Sequence, residues 1–191
     1  MSAPFNVVAV SGSVFSPSRT LILIEALIKA LESHLYIRSQ VIQLEHIARS
    51  TGKAFSRGEL PVAVEAHLKA IESADLLIVG TPVYRGSLPG QLKHLFDLVD
   101  QNALVDTPVL LAATGGSERH ALIIDHQLRP LFSFFQSLTL PIGVYASNAD
   151  FTDYVIGSKA LQDRIALAAE RALPYFPEHI LRTVLDKRQA A

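Results

Sequence analysis

Short apolar runs alternate with amphipathic segments along almost the whole chain. Apolar runs that are ended by small or turn-forming residues predict strands near 5–10, 38–44, 75–80, 107–114 and 140–146. Between these runs, leucine and isoleucine recur at helical spacing, which predicts helices near 20–35, 61–74, 90–101, 118–137 and 158–173. The segment 45–60 has weak periodicity and is predicted to be rich in loops.

Strands that alternate with helices predict a parallel sheet, because parallel neighbours need a long crossover between them. The runs 75–80 and 107–113 are almost continuously apolar, as expected for strands that are covered on both faces. We therefore predict an α/β three-layer sandwich: a five-stranded parallel sheet in the flavodoxin-like order 2-1-3-4-5, with helices on both faces. One domain is expected over residues 1–177, followed by a C-terminal tail over 178–191.

The loops after the first, third and fourth predicted strands carry the candidate chemistry. In this fold, ligands bind outside the carboxyl ends of the strands, where the first and third strands diverge. The three loops read "SGSVFSPSRT", "TPVYRGSLPG" and "TGGSERH", and all are rich in small, hydroxyl or glycine residues. Because they open at the same edge of the sheet, we expect them to form one ligand site.

The first loop has the composition of a phosphate site. Arg19 offers a planar cationic group, and the helix that begins near residue 20 offers unpaired N–H groups. Gly12 would let the backbone approach the ligand. The loop is neither a Walker loop nor a dinucleotide fingerprint, and the alternative is an ordinary polar turn with a helix N-cap. The candidate hydroxyl donors are Ser11, Ser13, Ser16, Ser18 and Thr20.

The second and third loops have features of sites for flat ligands. A rigid wall against one face of a heterocycle is expected from Pro82, Val83 and Tyr84. Beside them, Arg85 is a candidate for an anionic ring edge, and Gly86 allows a tight turn. In the third loop, backbone donors and close approach are expected from Thr114, Gly115 and Gly116. A phosphate cradle with two such loops fits flavin mononucleotide (FMN) better than a dinucleotide.

Composition narrows the function classes. Hydrophobic residues make up 49% of the chain and charged residues 18%, which indicates a globular protein. The net charge of −1 does not indicate the basic surface that nucleic-acid binding needs. The chain also lacks the excess of acidic residues expected of an electron carrier. There is no cysteine, hence no disulfide, thiolate or thiol chemistry. No apolar stretch reaches membrane-spanning length, so we expect a cytoplasmic protein without a membrane partner.

With these loops in view, the chain resembles the flavodoxin-like NAD(P)H-dependent FMN reductases. The matching motifs are "GSxxxPSRT", "TPVYRGSxPGxLKHLFD" and "ATGGSxRHAL…LRPLF", and the reductases of bacterial methanesulfonate-utilisation systems are the most similar group. The resemblance implies that NADH or NADPH, with NADH favoured, reduces free FMN. The reduced flavin would then pass to a two-component flavin-dependent sulfonate monooxygenase. Since the hydride moves between cofactor and cosubstrate, we expect no catalytic side chain.

The predicted helix 118–137 contains Pro130. Proline has no N–H to donate, and its ring would clash with the carbonyl of His126 four residues earlier. A π-type turn would relieve this clash, and a simple proline kink is the alternative. Related alkanesulfonate reductases carry an inserted tyrosine in a π-helix at a subunit contact, and by resemblance His126 occupies that place. Nearby phenylalanines point to a core or to a homodimer or homotetramer interface; they are Phe132, Phe134 and Phe135.

Other functions remain open at this point. A flavin-retaining quinone or azo-dye reductase, a flavodoxin-like electron carrier and a non-catalytic nucleotide-binding module are compatible with the same fold. The choice between NADH and NADPH depends on a cation for the 2′-phosphate. The candidates for that cation are Arg19, Lys53, Arg57 and Arg85.

Overall fold

The computed structural model describes residues 5–177, which build one parallel sheet between two layers of helices. The predicted tail 178–191 lies outside the described residues. The strands are β1 (Phe5–Ser11), β2 (Ile37–Gln43), β3 (Leu76–Pro82), β4 (Pro108–Gly115), β5 (Leu138–Thr139), β6 (Val144–Ser147), β7 (Phe151–Thr152) and β8 (Val155–Ile156). The helices are α1 (Arg19–Glu32), α2 (Leu44–Thr51), α3 (Val62–Glu72), α4 (Gly90–Asp97), α5 (Arg129–Phe134) and α6 (Lys159–Ala172).

The main sheet has the order β2-β1-β3-β4-β5, with every pairing parallel, which confirms the predicted flavodoxin-like topology. Ser11 at the end of β1 pairs with Gly80 of β3. The strands β1 and β3 separate beyond this pair, since β1 leads into α1 and β3 into α4 on the opposite face. The separation creates the crevice that the fold uses for ligands.

Alternating side chains of the strands divide the core in two. Val7 and Ala9 of β1 pack with α1 and α6 on one face. Val8 and Val10 point to the other face, where they pack with α2, α3, α4 and α5. All four side chains are fully buried, as required of a strand covered on both sides.

The prediction of a loop-rich segment over 45–60 was wrong for 45–51, which is helical, and was confirmed for 52–60. Residues Leu44–Thr51 form α2, and a short 3₁₀ turn follows at Arg57–Glu59. The helix buries Leu44, Ile47 and Thr51, which share one face. Two turns are too short to show a clear period in sequence. The end of the helix is fixed by His94, whose Nε2 lies 3.0 Å from the Thr51 carbonyl.

The predicted fifth strand, 140–146, is divided in the structure. The strands β5 and β6 both pair with β4, and the segment between them leaves the ladder. Pro141 in that segment has no N–H to donate. Gly143 packs so closely on Ile124 that a Cβ would lie 2.8 Å from its Cγ2 atom.

The predicted long helix over 118–137 is also divided. It consists of a 3₁₀ turn at Glu118–His120, a π-helix at Ile124–Leu128 and then α5. The predicted π-type turn is therefore present directly before Pro130. Helix α4 ends at Asp97, earlier than predicted. Within residues 5–177, none of the helices has the length and apolar character needed to cross a membrane.

Candidate functional site

A cleft of about 200 Å³ opens at the carboxyl edge of the sheet, where β1, β3, β4 and β6 end. All three predicted loops contribute to it, as the edge rule requires. Its lining consists of Ser13, Phe15, Pro17, Ser18, Arg19, Thr20, Pro82, Val83, Tyr84, Thr114, Gly115, Gly116, Ala146, Asn148 and Tyr154.

The first loop ends in a capped helix. Ser18 is the N-cap of α1, and its hydroxyl accepts a hydrogen bond of 3.2 Å from the N–H of Leu21. The carbonyl of Ser18 accepts from Ile22. The N–H groups of Arg19 and Thr20 then have no partner within residues 5–177. The start of α1 thus offers two backbone donors and its positive dipole end to the cleft.

Arg19 is the only charged residue among those described that line the cleft. Its Nε is buried and has no hydrogen-bond partner. The guanidinium lies over the ring of Tyr154, with 4.9 Å from Cζ to the ring centroid, and 6.0 Å from that of Phe151. A buried donor without a partner is unfavourable unless a ligand satisfies it, and a cation selects an anionic ligand.

Buried hydroxyls join the first and third loops. The side-chain oxygens of Thr20 and Thr114 lie 2.7 Å apart, and both residues are buried. One hydroxyl of the pair donates to the other, and the accepting hydroxyl keeps its own hydrogen for a ligand. In the first loop, the hydroxyl of Ser13 donates to the carbonyl of Phe15. The same hydroxyl lies 3.5 Å from the hydroxyl of Tyr84 in the second loop.

The second loop forms a tight turn. Tyr84 and Ser87 exchange backbone hydrogen bonds of 2.8 and 3.1 Å. The two residues between them are left-handed, with φ of 54° at Arg85 and 81° at Gly86, as in a two-residue hairpin turn. The turn presents Tyr84 to the cleft, where its ring centroid lies 6.1 Å from that of Phe15.

The third loop is shaped by its first glycine. A Cβ on Gly115 would lie 2.3 Å from the hydroxyl oxygen of Tyr145, whereas one on Gly116 would meet nothing within 4 Å. The Tyr145 hydroxyl donates to the carbonyl of Ser117 at 2.5 Å. Burial raises the pKa of Tyr145, and the nearby carboxylates of Glu118 and Asp150 raise it further. A side chain at position 115 is therefore excluded, because Tyr145 occupies the space that its Cβ would need.

Four predicted residues do not line the cleft. Ser11 is buried within the sheet, Ser16 is exposed on the first loop, and Arg85 and Gly86 are exposed at the tip of the second loop. Gly12 also has a different role from the predicted one. Its N–H donates to the carbonyl of Gly80 at 2.7 Å, so it is not available to a phosphate. A Cβ at this position would clash with Leu92.

The segment after β6 also contributes to the cleft, although it is not among the predicted loops. Asn148 and Tyr154 line the cleft from the 3₁₀ turn Asn148–Asp150 and the β7–β8 hairpin. Ligands bind at the carboxyl ends of the strands, and this rule also applies to the fifth predicted strand. The loop after that strand could therefore have been predicted to contribute. The contribution of Phe15 had no such signal, because an aromatic within a polar loop can equally pack inward.

His126 lies in the π-helix and is exposed. The N–H of Arg129 reaches five residues back to the carbonyl of Ile124, which is the π-type bond. Of the phenylalanines noted in the sequence, Phe132 is buried in the core, whereas Phe134 is 64% exposed. This surface lies outside the cleft.

The family model for NADPH-dependent FMN reductases matches residues 5–152, most of the chain. The chain belongs to this family. The reductase is 67% identical to "NADH-dependent FMN reductase SfnF" of Pseudomonas fluorescens over 94% of this chain and 96% of that protein. It is 64% identical to "FMN reductase (NADPH)" of Pseudomonas aeruginosa over 92% and 95%. An oxidoreductase structure from Corynebacterium diphtheriae matches with TM-score 0.78 and 29% identity, over 91% and 97%.

These findings confirm the resemblance drawn from the three motifs and identify the protein as an FMN reductase, with FMN and a nicotinamide nucleotide as its cofactors. The cleft fits FMN on its own chemistry. The unpartnered Nε of Arg19 and the free N–H groups of α1 suit a phosphate. The bare backbone at Gly116 and the aromatic Tyr84 suit a flat ring.

Proposed function

We propose that this FMN reductase holds the phosphate of FMN at Arg19 and at the start of α1, and the flavin ring between the second and third loops. The observation that carries the proposal is the buried, unpartnered Nε of Arg19 in a cleft with no other charged lining residue among those described. The wall for the ring is formed by Pro82, Val83 and Tyr84, and its opposite edge by Gly115 and Gly116.

The chain acts by binding and orientation. Bound FMN supplies the chemistry, since its ring accepts a hydride from the nicotinamide. The second loop is fixed against the third because the N–H of Val83 donates to the Thr114 carbonyl at 2.8 Å. Among the described lining residues there is no aspartate, glutamate, histidine or lysine, so the cleft offers no acid–base pair. Proximity of two stacked rings is the main contribution of the protein.

We propose NADH as the preferred donor. The SfnF relative from Pseudomonas fluorescens is named as NADH-dependent, whereas the Pseudomonas aeruginosa relative carries NADPH in its name. NADPH would need a free cation for its 2′-phosphate. Of the candidates, Arg57 is already paired with Glu65 and Glu72, and Arg19 is assigned to the flavin phosphate. Neither of the other two candidates, Lys53 and Arg85, lines the cleft.

We propose that the reduced FMN leaves the cleft and serves a two-component flavin-dependent sulfonate monooxygenase, in the use of methanesulfonate or related sulfonates. The similarity to SfnF and SfnE proteins of Pseudomonas supports this role. The enzyme would work in the cytoplasm, where the nicotinamide pool is found. A homodimer or homotetramer is proposed through the exposed surface of the π-helix and α5, which includes His126 and Phe134.

A steady-state assay tests the function. We expect the purified protein to oxidise NADH faster than NADPH when FMN is added, to use FMN better than riboflavin, and to be nearly colourless. Addition of the monooxygenase and a sulfonate should then couple NADH oxidation to sulfite release. A protein that stays yellow and turns over quinones or azo dyes would instead be a flavin-retaining reductase, and one without NAD(P)H oxidation would be a carrier.

A further inference from the structure

Gln127, in the middle of the π-helix, contacts the second loop of the cleft through its whole amide group. Its Oε1 accepts hydrogen bonds from the Ser87 hydroxyl at 2.7 Å and from the N–H of Leu88 at 3.2 Å. Its Nε2 lies 3.4 Å from the Gly86 carbonyl and donates to it. Three contacts from one half-buried side chain reach three successive residues of the turn.

The turn has few other supports. Its own closure depends on the two backbone bonds between Tyr84 and Ser87, and its tip is exposed. Arg85 keeps a left-handed backbone there, which is unfavourable for a residue with a Cβ. A turn with an unfavourable backbone and an exposed tip depends on external hydrogen bonds to keep one conformation. Within residues 5–177, the side-chain hydrogen bonds made to Gly86, Ser87 and Leu88 all come from Gln127.

The position of Gln127 depends on the π-helix. The hydrogen bond from Arg129 to Ile124 spans one residue more than an α-helical bond. Gln127 lies inside this wide turn, between the two bonded residues. The helix is held in place at its other end by Arg129, which donates to the carbonyls of Leu140 and Pro141 at 3.0 Å each. The C-terminal end of the wide turn is therefore anchored to the segment between β5 and β6.

We propose that Gln127 is a positioning residue for the flavin: it fixes the Tyr84–Ser87 turn so that Tyr84 faces the ring. The inference rests on the proposed location of FMN in the cleft. Without Gln127 the turn samples other conformations, and the apparent dissociation constant for FMN rises in inverse proportion to the competent fraction that remains. The π-helix thereby acts on the cleft through one amide group, independently of any subunit contact.

The test compares Gln127→Ala and Gln127→Glu with a control, Gln40→Ala. Loss of the amide is expected to raise the dissociation constant and KM for FMN about three- to tenfold, the range of one net hydrogen bond. The KM for NADH and the melting temperature of the FMN-free protein should change little. Glutamate keeps the acceptor oxygen for Ser87 and Leu88, so Gln127→Glu should lie between wild type and alanine. Gln40 is exposed on β2 and does not line the cleft, so its variant should match wild type.

Ser87→Ala provides a second approach that leaves the π-helix intact. It removes one partner of Gln127, so its effect and that of Gln127→Ala should not add in the double variant. An unchanged affinity for FMN in Gln127→Ala, or additive losses in the double variant, would overturn the inference. Arg19→Ala separates the two proposals. If it weakens FMN binding while Gln127→Ala does not, only the positioning role is lost, and if neither weakens it, the cleft is not the FMN site.

Discussion

Replacement of Arg19 by alanine should weaken FMN binding far more than riboflavin binding. The variant removes the only charged group among the described residues that line the cleft. A hydrogen bond to a charged group contributes about 1.5–3 kcal/mol, which corresponds to roughly a 10- to 150-fold rise in the dissociation constant. Riboflavin lacks the phosphate, so its affinity should change less than about twofold, within the range of small surface effects.

The structure favours the upper part of that range. The contact of Arg19 with the Tyr154 ring exists before FMN binds, so its loss affects the free and bound states alike and cancels. The Nε of Arg19 is buried without a partner in the free protein. A ligand that satisfies it recovers the cost of an unmade hydrogen bond in addition to the charge interaction.

Titration by quenching of flavin fluorescence, at one fixed ionic strength, measures both affinities. Arg119→Ala is the matched control, because Arg119 is an exposed cation of the third loop that does not line the cleft. It tests whether any lost positive charge at this edge has the same effect. Equal losses for FMN and riboflavin in Arg19→Ala, or a loss in Arg119→Ala as large as that in Arg19→Ala, would refute the assignment.

The third loop gives two further predictions. Gly115→Ala should destabilise the protein by about 1–3 kcal/mol, the cost of overpacking, because the new Cβ would overlap Tyr145. Gly116→Ala should be neutral, because a Cβ there meets nothing within 4 Å. Urea denaturation of the two variants measures the difference. The raised pKa of Tyr145 means that its contribution to stability is present below the unfolded pKa, about 10, and is lost as the pH rises through the higher folded value. Unfolding of wild type and Tyr145→Phe between pH 8 and about 11.5 measures this; wild type should lose more stability, and parallel profiles would contradict it.

The fold was predictable where elements are long and covered on both faces. The continuous apolar runs of β3 and β4 leave no other interpretation in a chain of alternating strands and helices. Prediction failed where a local interaction overrides the pattern. Pro141 and the carbonyl contacts of Arg129 interrupt the fifth strand, and those contacts come from a residue eleven and twelve positions away. Such a contact cannot be inferred from hydrophobic periodicity.

The same limit applies to the site. The edge rule identified the three loops, and the cleft contains ten of the predicted residues, namely Ser13, Ser18, Arg19, Thr20, Pro82, Val83, Tyr84, Thr114, Gly115 and Gly116. Glycine was the weak point of the reasoning. Gly12 and Gly115 are small because Leu92 and Tyr145 need the space, and their spacing in sequence gives no indication of these neighbours.

The revised role of Gly12 bears on how firmly the flavin is held. The N–H of Gly12 donates to the carbonyl of Gly80 and is not available to a phosphate. The proposed phosphate site therefore has one cation and the two N–H groups of Arg19 and Thr20, with the buried hydroxyls of Thr20 and Thr114 beside them. One cation and two backbone donors make few charge-assisted bonds to a phosphate, and few such bonds give modest affinity. Modest affinity is what a reductase that delivers reduced FMN to another enzyme requires, because a retained flavin could not be transferred. This argument favours the proposed shuttle over a flavin-retaining quinone or azo reductase on the same fold.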